Sequence, residues 1–168
     1  MNLREKIRTV THWPIEGVNF MDITTLLQDA DAFREVCDQL YNRYKDMQID
    51  KVVGIDARGF IFAAVLAYKL NTGFVPVRKK GKLPYKTIGV MYALEYGEDA
   101  IEIHEDGIDK GEKVLIVDDL LATGGTISAT VKLVEMLGGK IVECAFLVEV
   151  PELRGRERIE GHRVFVLI

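Results

Sequence analysis

The 168-residue sequence predicts an α/β domain whose mainly parallel sheet is covered by helices on both faces. Two observations predict it. Short apolar runs of strand length recur at Lys51–Ile55, Phe74–Val77, Val114–Val117, Ile141–Val148 and Arg163–Leu167. Helical stretches of about 10 to 12 residues separate several of them, which calls for right-handed crossovers between parallel strands. With 48% hydrophobic side chains the chain builds one ordinary core, so residues 1–168 are read as a single domain.

Taken in order, Leu3 to about Thr9 is expected as a short opening helix. The stretch His12–Asp22 contains Pro14 and Gly17 and has neither clean period, so it is expected as an ordered loop. From Asp31, the residues Phe33, Val36, Cys37, Leu40, Tyr41 and Tyr44 make one face of a 3.6-residue period, with Asp29 or Asp31 as N-cap. Lys51–Ile55 is a buried strand, Phe60–Leu70 a largely buried helix, and Asn71-Thr72-Gly73 its stop. Strand Phe74–Val77 runs into a basic tract. Gly89–Tyr96 and Ile101–Ile103 are expected as a hairpin turning at Gly97-Glu98-Asp99, with any flexible segment between Lys79 and Tyr92. Strand Val114–Val117, a helix from about Thr126 to Leu137 stopped by Gly138-Gly139, and the last two strands complete the chain.

A net charge of −4 argues against wrapping nucleic acid by general electrostatics. Cys37 and Cys144 lie in apolar surroundings without CxxC spacing, which suggests neither a disulfide framework nor a zinc site and fits a reducing cytoplasm. His12, His104 and His162 are scattered, so no metal-ligand set is expected from them. Trp13, beside Pro14, reads as a packing or interface residue. No apolar run approaches the roughly 20 residues of a membrane span, and the charged N-terminus has no apolar segment behind it, so no membrane partner is expected.

Packing does not explain Asp118 and Asp119. They stand side by side after the run Val114–Val117 and before Ala122-Thr123-Gly124-Gly125-Thr126. In an open parallel sheet, ligands sit at the carboxyl ends of strands. Two acceptor side chains there suit adjacent donors such as the 2'- and 3'-hydroxyls of a ribose. The small residues that follow let backbone N–H groups converge on one anion at a helix start, aided by threonine hydroxyls, and a phosphate fits. The pattern is neither a Walker loop, which needs Gly-Lys-Ser/Thr, nor G-x-G-x-x-G. A sugar beside a phosphate points to a 5'-phosphorylated ribose.

In this form the segment Val114–Thr126 resembles the phosphoribosyl pyrophosphate (PRPP) signature of type I phosphoribosyltransferases. Asp56-Ala57-Arg58-Gly59-Phe60, Arg78-Lys79-Lys80-Gly81-Lys82-Leu83-Pro84, Leu94-Glu95-Tyr96-Gly97, Leu147-Val148-Glu149 and Arg154-Gly155-Arg156-Glu157 follow the same family's order, so the likeness runs from about Gly17 to the end. It implies a twisted, mainly parallel sheet flanked by helices, a flexible loop, and a small hood built from about residues 10–25 and 149–168. It further implies transfer of phosphoribosyl from PRPP to adenine, yielding AMP and diphosphate, in a cytoplasmic homodimer. Mg2+ would enter with the pyrophosphate rather than in a protein cage.

By the same resemblance, Asp118 and Asp119 hold the ribose hydroxyls, and Ala122, Thr123, Gly124, Gly125 and Thr126 the 5'-phosphate. Arg58, in a loop that often carries a non-proline cis peptide, joins Arg78, Lys79 and Lys82 on the pyrophosphate, with the basic tract near a dimer interface. Glu95 would favour the charge growing on the anomeric carbon or handle the purine's proton, and Tyr96 would help close the site. Val18, Phe20 and Val150 would form the base pocket. Relatives that carry Phe-Arg-Asp differ here, where Phe20-Met21-Asp22 stands. The alternatives are a transferase for hypoxanthine, guanine or xanthine, which would favour a basic group facing the six position, and a PRPP-sensing regulator. A regulator needs an appended DNA-reading element, for which about 11 residues before the first loop leave no room.

Overall fold

The computed structural model describes residues 1–94 and 97–168, with the side chain of Leu94 excepted. Its main sheet has seven strands: β3 (Lys51–Ile55), β4 (Gly73–Lys79), β5 (Thr87–Leu94), β6 (Gly97–His104), β7 (Lys113–Leu121), β8 (Lys140–Glu149) and β9 (Val164–Val166). They are ordered β5-β6-β4-β3-β7-β8-β9. The five strands β4-β3-β7-β8-β9 are parallel, while β5 and β6 form an antiparallel hairpin at one edge. The mainly parallel α/β architecture expected from the sequence is therefore present.

Alternation along the strands builds two cores. Val52, Leu115, Val117, Ala145 and Leu147 face one side of the sheet, where helices α2 (Ala30–Tyr44) and α3 (Gly59–Leu70) cover them. Val53, Ile116, Cys144 and Phe146 face the other, under α4 (Gly125–Met136). Asp29 caps α2, accepting from the backbone N–H groups of Asp31 and Ala32. Asn71, in the left-handed region at φ 56°, closes α3, so Gly73 begins β4 instead of ending the helix. Both cysteines are buried and free, and burial pushes their thiols up to about 11 at Cys37 and about 12 at Cys144. Among the described residues no helix is long and apolar enough to cross a membrane.

Further local expectations need correction. The opening helix is only a 3-10 turn at Leu3–Lys6, because the chain goes on into strand β1 (Arg8–Thr11). Part of the expected loop is strand β2 (Asn19–Asp22), which pairs antiparallel with β1 and sets Val10 opposite Phe20. This separate two-stranded sheet is followed by a short helix, α1 (Thr24–Gln28). Gly97, Glu98 and Asp99 are not the hairpin turn; they pair with Leu94, Ala93 and Tyr92 inside the β5–β6 ladder. Of the second expected hood segment, residues 151–159 form two 3-10 turns, whereas β9 belongs to the main sheet.

At the end of the sheet away from the carboxyl termini of the strands, Glu143 is buried in β8 and carries a charge. Arg43 donates to it from Nε and Nη2 at 2.8 and 3.1 Å, and the Tyr44 hydroxyl donates at 2.7 Å. Burial alone would raise its pKa, but these donors outweigh burial and hold it below the usual value. Glu143→Ala would leave Arg43 and Tyr44 without their acceptor, so a loss of about 3 kcal/mol is expected, a drop of roughly 6–12 °C in Tm. Because the folded pKa is depressed, the contribution is present above the unfolded value of 4.5 and fades as pH falls through the folded one. Thermal melts of both proteins from about pH 7 down to about pH 3 should therefore converge; a constant gap would refute the charged pair as the cause.

Candidate active site

Strand β3 pairs with β4 on one side and β7 on the other, and the helices that leave β3 and β7 cover opposite faces. Such a reversal opens a crevice outside the carboxyl ends of the two strands. The loop Asp56-Ala57-Arg58, whose Asp56–Ala57 peptide is cis, comes from β3 into this crevice. The segment Asp118–Gly124 comes into it from β7.

Strand β7 does not stop at Val117 as expected; it continues to Leu121 alongside β8. Pairing with β3 ends at Val117. Asp118 and Asp119 thus stand on a strand held on one side only, firmly placed yet open toward the crevice. Asp119 is buried and its backbone N–H donates to Asp118 Oδ1 at 2.8 Å. A β-carbon on Gly59 would lie 2.8 Å from the same oxygen, so the first turn of α3 rests against Asp118 only because residue 59 has no side chain. Burial, and next the neighbouring Asp119 carboxylate, push the Asp118 carboxyl well above its ordinary range. Asp118 is thereby driven toward its protonated form beside the Asp119 carboxylate.

Arg58 joins this pair to a second feature. Its Nε donates to Asp119 Oδ2 at 2.5 Å, and its guanidinium lies 5.2 Å from the centre of the Phe20 ring. Phe20 in turn meets Trp13 edge to face at 4.7 Å. With Val10, Asp22 and Thr24, these residues line an open pocket of about 320 Å³. Of the three residues expected around the base, Phe20 lines this pocket. Val18 is exposed in the turn before β2, and Val150 is half-buried after β8, its N–H donating to Leu121 O. Trp13 is half exposed at the pocket wall, a role its neighbour Pro14 did not suggest. Met21, on the alternate face of β2, packs against the core beneath and does not line the pocket.

Beyond the acids, Ala122, Thr123, Gly124 and Thr126 line a small cavity of about 80 Å³ that Asp118 also borders. Helix α4 starts at Gly125, so its positive end faces this cavity, and Gly124 at φ 86° makes the bend that lets it start there. The cavity suits one anion. Thr123 and Thr126 also line a larger cavity of about 660 Å³, together with Gly125, Lys79, Tyr92 and Arg158.

The basic tract is divided. Arg78 donates from Nε to Asp56 at 2.9 Å, and Lys79 pairs with Asp99 at 3.3 Å on the wall of the larger cavity. Lys82 is exposed in the connection to β5. Glu95 and Tyr96 lie outside the described residues. Arg158 and Asp99, which line the larger cavity, were not anticipated; Arg158 follows directly on the quoted Arg154–Glu157 run, where a reading of solvated charge hides it.

Residues 22–168 match the phosphoribosyl transferase domain family. The chain is 62% identical over 168 residues to adenine phosphoribosyltransferase of Desulfosudis oleivorans, covering 100% of this chain and 97% of that one. Its fold superposes on adenine phosphoribosyltransferase of Thermoanaerobacter pseudethanolicus with a TM-score of 0.95 at 47% identity, covering 99% and 96% of the two chains. The Saccharomyces cerevisiae enzyme, complexed with D-2,5-dideoxy-2,5-imino-altritol 1,6-bisphosphate and adenine, superposes with a TM-score of 0.93 at 37% identity, covering 99% and 96%. On the sequence, the fold and these likenesses together, the chain belongs to the phosphoribosyl transferase family and, within it, to the adenine phosphoribosyltransferase group.

Proposed function

We propose that the chain transfers the phosphoribosyl group of PRPP to N9 of adenine, releasing AMP and diphosphate. The observation that carries this reading is the connection through Arg58 of an acidic pair, set beside an anion cavity, with an aromatic pocket. A nucleoside 5'-phosphate has the same three parts in the same order: phosphate, ribose and base.

In this reading Asp118 and Asp119 accept from the ribose hydroxyls and Ala122–Thr126 hold the 5'-phosphate. Phe20 offers its face to adenine, with Val18 and Val150 at the edges. Arg58, Arg78, Lys79 and Lys82 serve the pyrophosphate, Arg58 while its Nε stays on Asp119, and Arg78 and Lys79 by leaving the carboxylates they now contact. Glu95 favours the positive charge that grows on the anomeric carbon, and Tyr96 helps exclude water. Catalysis is then mostly positioning and electrostatics.

Among the described residues no three His, Cys, Asp or Glu side chains are grouped to hold a metal. Asp118 and Asp119 would help hold a Mg2+ ion that enters with the pyrophosphate, through the ribose hydroxyls they bind. When bound, the ion neutralises the departing diphosphate. A cytoplasmic homodimer completes the proposal, supported by the two free buried thiols and by the basic tract the resemblance places near an interface.

The test is a competition among equal adenine, hypoxanthine, guanine and xanthine with PRPP and Mg2+, following which nucleotide appears. AMP alone is expected. A 6-oxopurine nucleotide would move the function to a related transferase, and PRPP binding without any nucleotide would favour a sensor. Sedimentation of the same sample checks the dimer.

A further inference from the structure

We propose that Arg158 is a further ligand of the 5'-phosphate, an assignment that rests on the transferase reading above. The segment Gly155–Ile159 is a 3-10 turn whose two ends, Gly155 and Ile159, are buried, so Arg158 leaves a fixed base and projects outward. The arginines around it are in ion pairs: Arg154 with Glu157, Arg156 with Glu149, and Arg163 with Glu143. Among the described residues Arg158 has no such partner and faces the large cavity instead. Its Nη1 lies 3.9 Å from where a β-carbon on Gly125 would stand, at the first residue of α4. Glycine at 125 leaves that space free for a ligand.

Charge balance favours the same site. A phosphate seated in the small cavity brings about two negative charges close to Asp118 and Asp119, and a helix end supplies only about half a positive one. Arg58 is engaged with Asp119, and Lys79, paired with Asp99, is assigned to the pyrophosphate. Thr123 and Thr126 border both cavities, so an anion held between them presents its outer oxygens to the side where Arg158 stands. The guanidinium fork matches two phosphate oxygens at once.

The experiment compares AMP and adenosine binding to the wild type, Arg158→Gln and Arg158→Lys by calorimetry, with pyrophosphate competition alongside. Loss of one charge-assisted contact should weaken AMP by about ten- to fiftyfold in Arg158→Gln, leave adenosine and pyrophosphate unchanged, and be partly restored in Arg158→Lys. Equal weakening of AMP and adenosine would make the residue merely structural, unchanged AMP would remove it from the site, and selective loss of pyrophosphate would give it to the other phosphate. Each overturns the assignment. A wild type that forms AMP alongside any of these loses the Arg158 assignment alone, whereas one that forms no nucleotide and binds no AMP loses the transferase reading with it.

Discussion

Asp119→Asn should fold and yet lose about 10²- to 10³-fold in kcat/KM for PRPP, because two charge-assisted contacts depend on that carboxylate. One is the proposed contact to a ribose hydroxyl of the substrate. The other is the 2.5 Å bond from Arg58, whose guanidinium also lies over Phe20. An amide of the same shape keeps an acceptor but gives up the charge that anchors Arg58, so the ribose contact weakens and the base pocket loses its fixed wall together. The KM for adenine should rise along with that for PRPP. A variant with normal PRPP turnover would remove Asp119 from the ribose site.

The neighbouring acid gives the control. Asp118→Asn replaces a carboxyl that burial already pushes toward its protonated form, so it should cost far less stability than a buried charge normally would. The sign follows from the raised pKa. Relative to Asn, the native acid contributes fully below the unfolded value of 3.8 and loses ground as pH rises toward the folded one. Melts from about pH 4 to about pH 8 should therefore show Asp118→Asn gaining on the wild type. In Asp119→Asn the carbon signal of the Asp118 carboxyl should titrate at lower pH, because one of the two main causes of its shift is gone. A pH-independent gap together with an unmoved titration would deny the coupling.

How much of this was legible in the sequence depended on the range of the forces involved. Helix α2 was legible in its 3.6-residue stripe, and the parallel strands in their apolar runs, because each is written in neighbouring side chains. The β1–β2 sheet was hidden, since two strands standing apart from the main sheet bury too little to show alternation; Val10 and Phe20 face each other, but Pro14 and Gly17 dominate the stretch between. The charges of Glu98 and Asp99 suggested a turn, yet on the edge hairpin Glu98 faces solvent and Asp99 pairs with Lys79. The acidic pair and the small residues Ala122–Thr126 after it were plain as a motif. That Arg58 would reach Asp119 was not, because the contact spans 61 positions and exists only once β3 and β7 are side by side. Lys79 and Arg158 illustrate the same limit: equal charges in sequence, one neutralised by Asp99 and the other turned on the cavity.

Gly155→Ala should cost stability and AMP binding together. The segment after β8 is tied back to the sheet by Val150 N–H, which donates to Leu121 O at 2.9 Å, and by Arg156, which grips both oxygens of Glu149 at 2.8 and 3.0 Å. That clamp presses Gly155 against the segment Leu121–Gly124 from behind. A β-carbon there would lie 2.4 Å from Ala122 O and 2.9 Å from a Leu121 methyl, both on the framework of the loop, so the backbone must move. A cost of about 3 kcal/mol or more is expected, roughly 6–12 °C in Tm, with AMP binding lost beyond what destabilisation explains. Gly124→Ala meets the same contact from the other side, 2.5 Å from Gly155 O, and adds the strain of a side chain at φ 86°. Once either methyl has forced the two segments apart, the second has less to disrupt, so the double variant should lose clearly less than the sum of the singles. Strict additivity would mean that the two glycines fail independently, and the C-terminal segment would then not be the wall that shapes the phosphate site.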